Sequence, residues 1–215
     1  MRYKFILFDF DGTLADTFPF FTQVFNQLAE EFKFKRIESD EWESLRGFDA
    51  ARMMKYVGLS PWKMPLIATR FKKLMSEKRD SISLFSEVPE MLKRLTSGGM
   101  TLAVVSSNSR ENIEKILGPE NSTHFRFIEG NAGIFTKQLK LRKALKIANV
   151  AKEEAIYIGD EVRDAQASLK LGLAFGAATY GYTSAEALEL QSPALMFKRP
   201  IEIAEKLLSE TFAEK

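Results

Sequence analysis

The chain has 215 residues, 45 % of them hydrophobic, which is enough for one good core or a core with a small satellite domain and too apolar for a disordered chain. Lys and Arg total 31 against 29 Asp and Glu, with the signs interspersed and a net charge of +2, so neither a nucleic-acid nor a membrane-surface footprint is present. The absence of cysteine removes disulfides, thiolate nucleophiles and zinc-thiolate sites, and a cytoplasmic setting is the plain expectation.

The start, MRYKFILF, joins basic residues to an apolar run, but the run stops at Asp9, too short for a signal peptide. No later stretch approaches a membrane span, and the chain is expected to stay where it is made. Residues 3–8 are branched and aromatic and close on a polar turn, the pattern of a short buried strand. From 17 to about 79, phenylalanines, Trp42, Trp62 and methionines recur at helical spacings, with Pro61 and Pro65 as internal breaks. This stretch reads as a small helical bundle inserted as a cap, residues 17–79, with 1–16 and 80–215 as the main domain; the same aromatics would also suit helices that share one core with the rest.

Beyond the insertion the grammar alternates. Helical patterns over 87–95, 110–117, 137–147, 163–170 and 202–208 are interleaved with strand patterns over 101–105, 125–128, 155–158 and 173–177 and a weaker one at 194–197. Strands alternating with helices require right-handed crossovers, hence an α/β fold with a Rossmann-like parallel sheet flanked by helices. In such a sheet the C-terminal strand ends carry the site.

Three strand ends are chemically loaded. The first opens into DFDGT, with Asp9 and Asp11 two residues apart, Gly12 for a sharp turn and Thr13 supplying a hydroxyl. Unpaired Asp is rarely buried, so such carboxylates need a cation, a proton or a partner; an acidic loop or a helix cap is the simpler alternative. The strand at 101–105 ends in VVSSNS, where the Ser106 hydroxyl and nearby backbone N–H groups could hold an anionic oxygen, while Ser109 suits the cap of the following helix. The strand at 155–158 runs into GDEVRD, bringing Asp160, Glu161 and Asp164 beside the first motif. Converging carboxylates repel unless a hard cation joins them, and oxygen-only ligation points to Mg²⁺ rather than zinc.

Taken in order, DFDGT, the hydroxyl at Ser106, a lysine in FTKQLKL and GDEVRD resemble the four motifs of the haloacid dehalogenase superfamily, nearest its phosphoglycolate phosphatase-like branch, across residues 5–178. The resemblance implies Asp9 as a nucleophile that becomes an aspartyl phosphate, and Asp11 as general acid and base. It implies phosphate contacts from Ser106, Ser107 and Lys137, and Mg²⁺ held by the Asp9 carboxylate, the Asp11 backbone carbonyl and Asp160, with Asp164 in support. Lys137 is favoured because a helix begins there after Ile134 and Phe135, but Lys140 also qualifies, and either could be a solvated lysine. Arg46, in ESLRGFDA, resembles a cap residue that faces substrate, though a surface arginine at a helix end reads the same; Asn108 is a further phosphate contact or a turn residue. Because expelling an alkoxide needs a proton and expelling halide does not, the acid at Asp11 argues for phosphate esters over dehalogenation.

The expected activity is therefore a Mg²⁺-dependent phosphatase acting on a small phosphorylated metabolite, as a monomer or homodimer. A phosphomutase resembling β-phosphoglucomutase would use the same aspartates, and a non-catalytic module binding a phosphorylated ligand or a protein is the alternative from another class.

Overall fold

A computed structural model describes residues 3–48, 50–132 and 136–209. Its centre is a six-stranded, all-parallel sheet in the order β5-β4-β1-β6-β7-β8. The strands are β1 (Phe5–Phe8), β4 (Thr101–Val105), β5 (Phe125–Glu129), β6 (Ala155–Gly159), β7 (Ala174–Ala178) and β8 (Leu195–Phe197). Parallel pairing explains why β1 reads FILF with no alternation: both faces are covered by helices, so every side chain is buried.

Alternate residues of β1 serve different layers. Ile6 and Phe8 pack with Met91, Leu92 and Leu95 of α5 (Val88–Ser97) and with Ile203 and Leu207 of α10 (Ile201–Ser209). Phe5 and Leu7 face the other way, toward Leu141 and Ala144 of α7 (Lys137–Ala148) and Ala165 of α8 (Val162–Leu169). The helix between β4 and β5, α6 (Arg110–Ser122), bends at Gly118, whose φ of 71° precedes Pro119. The predicted 110–117 is the straight part before that bend.

Between β1 and α5 the described residues form the α-helices α1 (Phe18–Phe32), α2 (Trp42–Leu45), α3 (Ala50–Tyr56) and α4 (Met64–Lys78). Neither proline interrupts a helix. Pro61 opens a short 3₁₀ turn, and Pro65 occupies the first turn of α4, where no backbone donor is lost. Two very short strands, β2 (Ala15–Asp16) and β3 (Ser83–Leu84), pair antiparallel, so this segment leaves and rejoins the sheet at adjoining points. Phe20, Val24 and Leu28 of α1, with Ile67, Leu74 and Met75 of α4, join the cluster on one face of the sheet. The opposite side of α1 builds a separate cluster on Ile37, Trp42, Leu45 and Val57, where Trp42 meets Phe18, Phe21 and Phe25 edge-on at 6.0, 5.7 and 5.2 Å. No helix among the described residues is long and apolar enough to cross a membrane.

Candidate active site

Because β1 lies between β4 and β6, the ends of all three strands meet. Asp9 follows β1 directly, and its N–H donates to Ile158 O on β6 at 2.8 Å. The chain then turns back sharply, with the N–H groups of Leu14 and Ala15 both donating to Phe10 O at 2.9 Å. Gly12 makes that turn possible in two ways. Its φ is +71°, and a Cβ there would stand 2.2 Å from Asp160 Oδ2, so a side chain would displace a carboxylate of the site.

Each buried carboxylate has its own support. Asp9 Oδ1 accepts from the Phe10 N–H at 2.8 Å. Asp160 accepts from the Thr13 hydroxyl at 2.9 Å on one oxygen and from the Tyr182 N–H at 2.7 Å on the other. Asp164 is held by a reciprocal cap at the start of α8, where the Glu161 N–H donates to its Oδ2 at 3.2 Å. One oxygen from each of Asp9, Asp160 and Asp164 lies within 4.8 Å of the others, and all three residues are buried. Such an oxygen-only set suits a hard divalent cation, and its electrostatics agree: burial, then the charges of Glu161, Asp164 and Asp9, push Asp160 well above its ordinary pKa. Burial and the Asp9 and Glu161 charges likewise push Asp164 up to about 7 against the pull of Lys137.

Of the two candidate lysines, Lys137 reaches this cluster. Its ammonium is buried at the first position of α7, donating to Asp9 Oδ2 at 2.7 Å and to Asp164 Oδ1. Lys140 turns away to Gly130 O and Glu129. Ile134 and Phe135 lie outside the described residues. Burial alone would raise Asp9, but the Lys137 charge, with help from Arg163, outweighs it and holds Asp9 below the usual carboxylate range. Asp11 goes the opposite way, up to about 7, first through burial and then through the charge on Asp9.

Ser106 is fully buried at the end of β4, its Oγ accepting from the Asn108 N–H at 3.3 Å, and Ser107 follows half-buried. The Asn108 side chain reaches across to the first motif. Its Nδ2 donates to Asp11 Oδ1 at 3.0 Å, while its Oδ1 accepts from the Ser109 N–H at 2.8 Å and from Asn112 Nδ2 at 3.2 Å, so it orients the Asp11 carboxyl. Arg46 lies over the opposite loop. Its Nε donates to Tyr182 O at 3.2 Å and another nitrogen to Gly181 O, and its third nitrogen meets Glu43 at 3.3 Å. Tyr182 went unmarked in the sequence, as nothing in TYGYT distinguishes it from a turn. Yet its N–H holds Asp160, its hydroxyl donates to Thr17 at 2.8 Å, and its ring meets Phe18 and Phe21 at 5.4 Å.

A buried carboxylate at a parallel strand end, an ammonium against it, two further acids and a protonation-prone carboxyl define a hydrolytic centre of the phosphatase class. Residues 6–178 match the haloacid dehalogenase-like hydrolases, and the chain belongs to that family. A phosphoglycolate phosphatase from Synechococcus elongatus is 29 % identical over 199 residues, covering 92 % of this chain and 94 % of the relative. A 5'-nucleotidase from Pseudomonas aeruginosa is 26 % identical over 219 residues, covering 90 % of each. Among solved structures, a haloacid dehalogenase-like hydrolase from Streptococcus pneumoniae superposes with a TM-score of 0.81 over 96 % of this chain and 99 % of that one, at 21 % identity. The enzyme is a phosphatase of this family, a phosphoric monoester hydrolase.

Proposed function

We propose that this phosphatase is Mg²⁺-dependent and hydrolyses a small phosphorylated metabolite in the cytoplasm, as a monomer or homodimer, through an aspartyl phosphate on Asp9. The reading rests on one observation above all: the buried Asp9 carboxylate is flanked by Lys137, with Asp160 and Asp164 beside it and Asp11 two residues on. Residues 17–79 act as the cap, closing over the site carried by 1–16 and 80–215, and the loop around Arg46 is its contact with the catalytic domain.

In the first step an Asp9 oxygen attacks phosphorus while the ester P–O bond breaks, and the proton of Asp11 passes to the departing oxygen. In the second, Asp11 as carboxylate takes a proton from water, which attacks the aspartyl phosphate and releases inorganic phosphate and free Asp9. A carboxyl raised to about 7 suits both roles near neutral pH. Lys137 and the hydroxyls of Ser106 and Ser107 stabilise the phosphoryl oxygens. Mg²⁺, held by the carboxylates of Asp9, Asp160 and Asp164 and by the Asp11 backbone carbonyl, would neutralise phosphate charge so that an anionic nucleophile can approach.

The test is phosphate release from a panel of phosphorylated metabolites that includes phosphoglycolate and nucleoside monophosphates, with Mg²⁺ and with EDTA. Asp9→Asn should lower kcat at least about a thousandfold while leaving the folded circular dichroism spectrum intact. Release that persists in EDTA or in Asp9→Asn would remove the metal or the covalent step, respectively. Transfer of phosphate to a second sugar hydroxyl instead of water would make the enzyme a mutase.

A further inference from the structure

Resting on the phosphatase reading, we infer that the leaving group is an alcohol carrying a single apolar or aromatic ring, and that the ring is read by a cavity between the helical segment and the loop that holds Asp160. The cavity measures about 160 Å³. That volume is close to the roughly 150 Å³ apolar cavity that accommodates benzene, so one ring fits inside it, with the open side left for the rest of the substrate. Six apolar side chains form most of its wall: Phe18, Phe21, Trp42, Leu45, Phe48 and Met53. Four of them, Phe18, Phe21, Phe48 and Met53, are half-buried at the edge of the cluster built on Ile37, Trp42, Leu45 and Val57, each with part of its surface left open.

The cavity adjoins the chemistry. Glu161 and Thr183, which also line it, flank the carboxylate loop, with the Thr183 N–H donating to Asp160 O at 3.3 Å, and the Tyr182 ring forms part of the same wall while its N–H donates to Asp160 Oδ2 at 2.7 Å. A group seated there would be joined to a phosphate held at the carboxylates next to this loop. The charges on the wall speak against a carboxylate-bearing leaving group such as glycolate. Among the described residues of the wall, the cation Arg46 has all three nitrogens engaged with Tyr182 O, Gly181 O and Glu43, and the acid Glu161 is paired with Arg163. An anionic leaving group would be desolvated against aromatic rings and Glu161 with no free partner, whereas a ring gains by burial.

The test compares benzyl phosphate, ethyl phosphate and phosphoglycolate as substrates of the full chain with Mg²⁺; benzyl and ethyl alcohol are similar leaving groups, so the ring is the variable. Benzyl phosphate should exceed the other two in kcat/KM by about tenfold or more, mainly through KM. Met53→Trp, which fills the cavity, and Phe48→Ala, which opens it, should each bring the benzyl-to-ethyl ratio toward one. Equal kcat/KM for benzyl and ethyl phosphate, a preference for phosphoglycolate, or a ratio that neither substitution moves overturns the ring assignment and leaves the phosphatase standing. No release from any of the three esters by protein that hydrolyses another member of the metabolite panel overturns the ring assignment alone.

Discussion

Lys137 is the residue on which the electrostatics of the site turn. Burial would drive its ammonium toward the neutral form, but the charges of Asp164 and Asp9 outweigh burial and lift it above its ordinary pKa. A buried ion pair of this kind adds little net stability, because desolvation cancels most of the attraction, yet removing one member leaves the others uncompensated. Lys137→Met should therefore destabilise the metal-free protein by about 3–5 kcal/mol in urea unfolding and abolish turnover. Lys140→Met should do neither, since its ammonium sits with Glu129 and Gly130 O near the surface. Equal effects from the two substitutions would return the choice between the lysines to where the sequence left it. That choice was not legible beforehand, because both residues fall in the first turn of α7 and only the third dimension says which one turns inward.

At the scale of elements, the helical segment carries a small polar knot of its own. The Glu41 carboxylate accepts from the Tyr56 hydroxyl, from the Glu38 N–H at 2.8 Å and from Lys35 at 2.9 Å, tying the turn before α2 to the end of α3. The Tyr56 hydrogen bond, then those from Glu38 and Lys35, bring its pKa from 4.5 down to about 2. A depressed carboxyl binds fewer protons when folded, so its contribution is complete above pH 4.5 and fades as pH falls toward 2. Glu41→Gln should lower the melting temperature at pH 7, and the gap from the wild type should narrow steadily from pH 5 down to about 2; a constant gap would mean that the carboxylate charge is irrelevant.

The same segment shows where reading a sequence succeeds. The long strands and crossover helices were legible because both faces of the sheet are covered, which makes apolar runs such as FILF and AIYI unmistakable. The strands β2 and β3 were not, because two residues have no periodicity, and the five-residue α9 (Ala185–Glu189) was missed for a similar reason. The acids of the site could be read because Asp at a buried strand end is chemically anomalous. Tyr182 and the Asn108 contact to Asp11 could not, because tyrosine and asparagine are ordinary in loops and their meaning lies in partners 22, 97 and 165 positions away.

For the molecule as a whole, the carboxylate cluster sets stability against function. Asp160 has its pKa raised by burial and by neighbouring charges, so in metal-free protein its ionisation favours unfolding, increasingly as pH rises above its ordinary 3.8. The Thr13 hydroxyl and the Tyr182 N–H nevertheless hold it in place from two sides, and the missing side chain at Gly12 leaves it room. A cation bound to the folded state alone would reverse that penalty, and at one hundred times its dissociation constant it would add about 2.7 kcal/mol. Mg²⁺ should accordingly raise the melting temperature at pH 7.5, EDTA should cancel the rise, and Asp160→Asn should make the protein indifferent to both. If the wild type melts at one temperature with and without Mg²⁺ across millimolar concentrations, the cluster does not bind this ion, and the buried acids must be stabilised by protons and Lys137 alone.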